Sequence, residues 1–194
     1  MTLPRTAARF VLGYVGLVEG TAALIRFRER RAAFELAVQR AAALDRRLVV
    51  IGDPDAGMHT RLMRAYGCGD VCVDMNGCPK CPMTIVADIT KGPIPDVPDN
   101  SAVVFVSCVL EYVDDVTAAL KEVRRIAGAD DNLFIVTVEP WTFTAALYPG
   151  ARQAGSTPAA MRPITAAHKF AASALIGALV AGALLPARQP GGPR

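Results

Sequence analysis

Apolar positions in the middle of the chain fall in short runs, and each run stops at a glycine, a small polar residue or an acid. Residues 48–51 (LVVI) stop at Gly52, 71–73 (VCV) at Asp74 and 83–87 (MTIVA) at Asp88. Residues 102–106 (AVVFV) stop at Ser107 and 133–138 (LFIVTV) at Glu139. Runs this short, with little polar alternation, predict strands buried on both faces. Two stretches between them carry helical signals. Residues 57–66 (GMHTRLMRAY) predict a helix with Gly67 as its C-cap. Residues 114–127 (DDVTAALKEVRRIA) are amphipathic, with Asp114 or Asp115 as N-cap and Gly128 at the end. Strands alternating with helices imply an α/β fold on a mostly parallel sheet with right-handed crossovers.

The two ends are patterned differently. Residues 10–25 (FVLGYVGLVEGTAALI) form an apolar run broken by one charge, Glu19, and followed by Arg26, Arg28, Arg30 and Arg31. The run is slightly short of the roughly 20 residues a straight membrane-spanning helix needs. A cleaved targeting segment is an alternative reading, as is a helix buried in a larger assembly. Residues 34–44 continue with helical periodicity. Phe34, Leu36, Ala37, Ala41 and Leu44 fall on one face, with Arg30, Glu35 and Arg40 on the solvated side. Residues 170–186 (FAASALIGALVAGALLP) carry no charge and predict a transmembrane helix. The arginines after residue 25 place the middle domain on the cytoplasmic side. The chain thus divides into apolar and amphipathic helices (1–46), an α/β domain (47–150), and a linker, apolar helix and loose tail (151–194).

Composition adds limits. The chain has 194 residues, 52% of them apolar and 20% charged, which excludes a disordered protein. A formal charge of +3 gives no ground for nucleic-acid binding, and none is expected.

Ligands of open parallel sheets bind beyond the carboxyl ends of the strands. Here those ends carry Gly52, Asp74, Asp88, Ser107 and Glu139. Carboxylates at such positions accept from ribose hydroxyls. The loop after the first strand, GDPDAG, holds two aspartates and would repel a pyrophosphate. The pattern therefore favours a cofactor without phosphate over a dinucleotide or ATP.

In this order of elements, residues 48–149 resemble class I S-adenosylmethionine-dependent methyltransferases. The stretch that carries the resemblance is IVADITKGPIPDVPDNSAVVFVSCVLEYVDDVTAALKEVRRIAG, with its acidic strand end, its Leu110-Glu111-Tyr112 turn and the helix that follows. The resemblance implies a three-layer Rossmann-like methyltransferase fold on a five-stranded sheet, with apolar helical extensions at both ends. It implies S-adenosylmethionine as cofactor. The loop Gly52, Asp53, Pro54 to Gly57 would approach its methionine part, and Asp74 its ribose hydroxyls. Asp88 and Ile89 would meet the adenine, and Ser107 and Cys108 would line the pocket. Tyr112, Glu111, Glu139 and His59 are further pocket candidates, and no catalytic base stands out. The loop departs from the family's Gly-x-Gly-x-Gly: Pro54 lacks an N–H, and Ala56 adds a Cβ. The family's final antiparallel strands are not evident after Glu139, which leaves a sheet edge for a partner protein, self-association or the N-terminal helix to cover.

Cys68, Cys72, Cys78 and Cys81 lie within 14 residues. The Cys78-Pro79-Lys80-Cys81 knuckle suits zinc, and four thiolates would complete a tetrahedral site. Against this, Cys68 and Cys72 flank a predicted strand whose span, about 13 Å for four residues, would keep them apart. A Cys78–Cys81 disulfide is one alternative. The other treats Cys72 and Cys108 as core residues and the rest as loop thiols, with no metal.

Two functions follow. One is a membrane-associated methyltransferase acting on a small molecule, a lipid or a partner protein. The other is a catalytically inactive methyltransferase-like subunit of a membrane-bound or viral-type assembly.

Overall fold

The computed structural model describes residues 5–56 and 64–137. Its centre is a sheet of five strands: β1 (Arg47–Ile51), β2 (Val71–Asp74), β3 (Thr84–Val86), β4 (Ala102–Ser107) and β5 (Leu133–Val136). Their spatial order is β3-β2-β1-β4-β5, and every pairing is parallel. Val73 and Val106 both pair with Ile51, and Ser107 pairs with Val136. This register brings the carboxyl ends of the three central strands level. The chain leaves β1 toward β3, then returns to the far side of β1 as β4. The topological switch point therefore lies between β1 and β4, where such sheets open a crevice for ligands.

The strands are apolar on both faces because both faces are covered. Val49, Ile51, Val71, Val73, Val104, Val106 and Ile135 point to one side. There they meet α2 (Val116–Ala127) through Val116, Ala119, Val123 and Ile126. Leu48, Val50, Cys72, Val103, Phe105 and Phe134 point to the other side and meet α1 (Arg5–Leu44) through Ala33, Ala37 and Ala41. The small alanine stripe lets α1 sit close over Phe105, which Phe34 meets edge-on at 5.4 Å between ring centroids. The result is a three-layer α/β/α arrangement.

α2 starts and stops where the capping signals place it. The Asp115 carboxylate accepts from the amide of Ala118, and Gly128 ends the helix in the left-handed conformation with its amide on Arg124 O. Glu122, on the same helix, is buried. Its carboxylate accepts from the amide of Ile94 at 2.8 Å and from two nitrogens of Arg125. This pins the irregular 88–97 segment, with its turns at 89–90 and 95–96, against α2.

Three sequence expectations change. Residues 64–66 are not helical, and Gly67 is not a left-handed cap; the turn is taken at Gly69, with φ +62°. A Cβ on Gly69 would stand 2.6 Å from Leu48 O, so the chain can enter β2 this close to β1 only through a glycine. The N-terminal segments form one helix of 40 residues, about 60 Å long, rather than two. Its buried stripe runs Val18, Ala22, Arg26, Ala33, Ala37, Ala41. Arg30 and Arg40 belong to that side and not to the solvated one: Arg30 lines a pocket, and Arg40 donates to Asn132 Oδ1 at 3.0 Å. Among the described residues no helix is long and apolar enough to cross a membrane. The 170–186 segment, Gly57, His59 and Glu139 lie outside the described residues.

Candidate functional site

A pocket of about 530 Å³ opens over the carboxyl ends of the strands at the switch point. That is ordinary size for a small-molecule site. Gly52, at the end of β1, forms its floor with φ +100°. A Cβ there would stand 2.6 Å from Val109 Cγ2 and 3.4 Å from Ser107 O. The loops after β1 and β4 can therefore meet only if residue 52 is glycine.

On one side stand three aspartates from three neighbouring strand ends: Asp53, Asp74 and Asp88. Each closes an Asx turn on the amide two residues on. Asp53 Oδ1 accepts from Asp55, Asp74 Oδ1 from Asn76 and Asp88 Oδ1 from Thr90. The Thr90 hydroxyl and amide, with Lys91 at 3.1 Å, hold Asp88 down to a pKa of about 2. Asp74 Oδ2 also accepts from the amide of Asp53 at 3.2 Å. A carboxylate offers about four lone-pair sites, so Asp74 keeps capacity for further donors.

Among the described residues of the loop after β1, 52–56, no amide is left to offer. Gly52 donates to Val73 O, Asp53 to Asp74, Asp55 to the Asp53 side chain and Ala56 to Asp53 O; Pro54 has no N–H. The amides of residues 52–56 are therefore not free to cradle an anionic group.

The opposite wall is different. Arg30 reaches it from α1, and its Nη2 donates to Cys108 Sγ at 2.6 Å. Burial disfavours the charge on Arg30, but Cys108, Tyr66 and Glu111 around it outweigh that and raise its pKa. Cys108 itself follows β4 with φ +50°, an uncommon conformation for a residue with a side chain. Burial, with Glu111 nearby, pushes its thiol up to about 11, so it is a neutral group and not a nucleophile at neutral pH. Burial likewise raises Tyr66 to about 12. The Tyr66 hydroxyl reaches Asp53 O at 3.4 Å and stands beside Ser107. Ser107 Oγ is buried beside that hydroxyl.

Gly52, Asp53, Asp74, Asp88, Ile89, Ser107 and Cys108 all line this one pocket. Pro54 is buried in the loop behind it, and Ala56 takes its place on the lining. Of the further candidates, Tyr112 lines the mouth while Glu111 is buried beneath it. Sequence reasoning missed Arg30 and Tyr66. The signal for Arg30 was its place in the stripe Arg26, Arg30, Ala33, Ala37, Ala41, spaced by three and four residues.

The cysteines do not pair as the knuckle suggests. Cys68 is bonded to Cys81 and Cys72 to Cys78, in place of Cys78–Cys81. Nor are Cys68, Cys78 and Cys81 loose loop thiols; only Cys108 is free among the described residues.

No protein-family model matches the chain, no curated protein matches it, and no solved structure matches it.

Proposed function

We propose that the pocket binds S-adenosylmethionine and that the chain is a methyltransferase-like protein. The observation that carries this reading is the polarised pocket over the switch point. Asp53, Asp74 and Asp88 stand on the β1–β2–β3 side; the β4 side carries Arg30, the one cation among the described lining residues, together with Asp114. The acidic side suits ribose hydroxyls and a cationic sulfonium. Arg30 suits a carboxylate, for which residues 52–56 have no amide to spare. A zwitterionic nucleoside without phosphate meets both demands.

Transfer would break the sulfonium S–CH₃ bond and form a bond from the methyl carbon to an acceptor atom. The positive charge leaves sulfur, and the acceptor's proton goes to solvent. Neither Tyr66 nor Cys108 titrates near neutrality. The chain's contribution would be to place the two reactants in line rather than to move a proton. The acceptor would be a small molecule, a lipid or a partner protein at the membrane, where the 170–186 segment would hold the chain.

The consumed amides of residues 52–56 favour a second reading, an inactive structural subunit with the same fold. Titration of the full chain with S-adenosylhomocysteine separates the two. Saturable binding supports the cofactor site; no heat at millimolar ligand leaves the structural subunit.

A further inference from the structure

The four cysteines outside the pocket form one group in space. Cys72, Cys78 and Cys81 place their sulfurs within 4.8 Å of one another, and Cys68 joins the group through Cys81. The span of a strand does not separate Cys68 from Cys72, because residues 64–69 are irregular and the chain turns at Gly69. Cys72 is carried by β2, while Cys78 and Cys81 come from a turn closed by the Cys81 amide on Cys78 O at 3.0 Å.

We propose that these four residues are a tetrathiolate zinc site when the chain is reduced, with the two disulfides as its oxidised form. Four sulfurs about 2.3 Å from a tetrahedral zinc lie just under 4 Å apart; Cys72, Cys78 and Cys81 already place theirs within 4.8 Å of one another, and Cys68, bonded to Cys81, would shift to complete the set. Two cysteines come from a Cys-x-x-Cys turn and two from a Cys-x₃-Cys segment, and the donors are soft, as zinc prefers. A second observation points the same way. Arg64 Nη2 donates to Cys68 Sγ at 3.6 Å. A disulfide sulfur is a weak acceptor, whereas a thiolate would pair with this guanidinium. Four thiolates around Zn²⁺ carry a net charge of −2, and Arg64 and Lys80 are the cations placed to offset it; both also stand 3.9 Å from Asp55.

The chemistry balances. Two disulfides take four electrons and four protons from a thiol reductant and become four thiols. Zinc then displaces four protons and binds four thiolates. The site would tie residues 64–81 together beside the pocket, since Cys72 Sγ lies 3.8 Å from Gly52 O and Tyr66 reaches Asp53.

The test uses the full chain purified under reductant without oxygen, loaded with zinc or with cobalt(II) alone. The expected result is one metal per chain and the intense visible bands of tetrahedral thiolate cobalt. Cys68→Ser should change those bands. Arg64→Gln, which keeps all four cysteines, should weaken cobalt affinity about ten-fold. Air-oxidised chain should bind none. A folded, reduced chain with four titratable thiols and no metal would overturn the proposal. So would two disulfides that persist under reductant, or cobalt bands unmoved by Cys68→Ser.

Discussion

The backbone amide of Asp53 donates to Asp74 Oδ2 at 3.2 Å, so the carboxylate that ends β2 holds the loop that follows β1. Asp74 also caps its own turn through Asn76. Removing the carboxylate leaves two amides without their acceptor. Asp74→Ala should therefore lower stability by about 1–2 kcal/mol. Asp74→Asn keeps an accepting oxygen and should cost less. Urea unfolding of both variants checks the order.

Arg30 should read the acidic end of the ligand. Arg30→Gln is expected to weaken S-adenosylhomocysteine binding about ten-fold or more while leaving a nucleoside thioether without the amino-acid end unchanged. Equal losses for both ligands would mean that Arg30 only supports the wall.

Gly52→Ala should be costly twice over, through its positive φ and through the 2.6 Å approach to Val109 Cγ2. A loss of about 2–4 kcal/mol is expected in thermal or chemical unfolding. Adding Val109→Ala should recover part of it, because the steric conflict is relieved while the backbone strain is not.

How far these residues could be read in advance depends on how local their cause is. The five strands and α2 were legible because apolar runs, an aspartate cap and a glycine stop act within a few positions, although β5 stops at Val136, short of the Glu139 at which its apolar run ends. The pocket's acidic side followed, since Asp74 and Asp88 sit at strand ends by sequence alone. The stripe on α1 marks Arg30 as facing inward, but its place in the pocket was not legible, because what sets it there is Cys108, 78 positions away. The stretch 64–66 was misread because Ala65 and Tyr66 follow Leu62 at helical spacing, yet both are buried in the core beneath α1, Tyr66 against Phe34 and Phe105, without a helix at 64–66. The cysteine pairing depended on the same irregular segment.

Glu122 should make the fold acid-sensitive. Burial opposes its charge, but Arg125 and the Ile94 amide outweigh that and lower its pKa from 4.5. A carboxylate with a lowered folded pKa adds stability above its unfolded value and loses it as pH falls through the folded one. Unfolding midpoints should therefore decline below about pH 4.5. Glu122→Gln should cost roughly 2–4 kcal/mol at neutral pH and flatten that decline.

At high pH the sign reverses. Cys108 rises from 9.0 to about 11 and Tyr66 from 10.0 to about 12 on folding. The folded state then holds protons that the unfolded state has released, so stability is complete below pH 9 and falls as pH rises through 11 and 12. Tyr66→Phe should remove the upper part of that fall. Cys108 should also resist alkylation at pH 8 in the folded chain and react on unfolding.

The central claim is that the polarised pocket holds S-adenosylmethionine. Calorimetric titration of the full chain with S-adenosylhomocysteine, beside Asp74→Asn, tests it most directly. The account predicts one site per chain in the wild type and an affinity at least about ten-fold lower in a folded Asp74→Asn variant. No binding at millimolar ligand, or equal binding by both proteins, would contradict it.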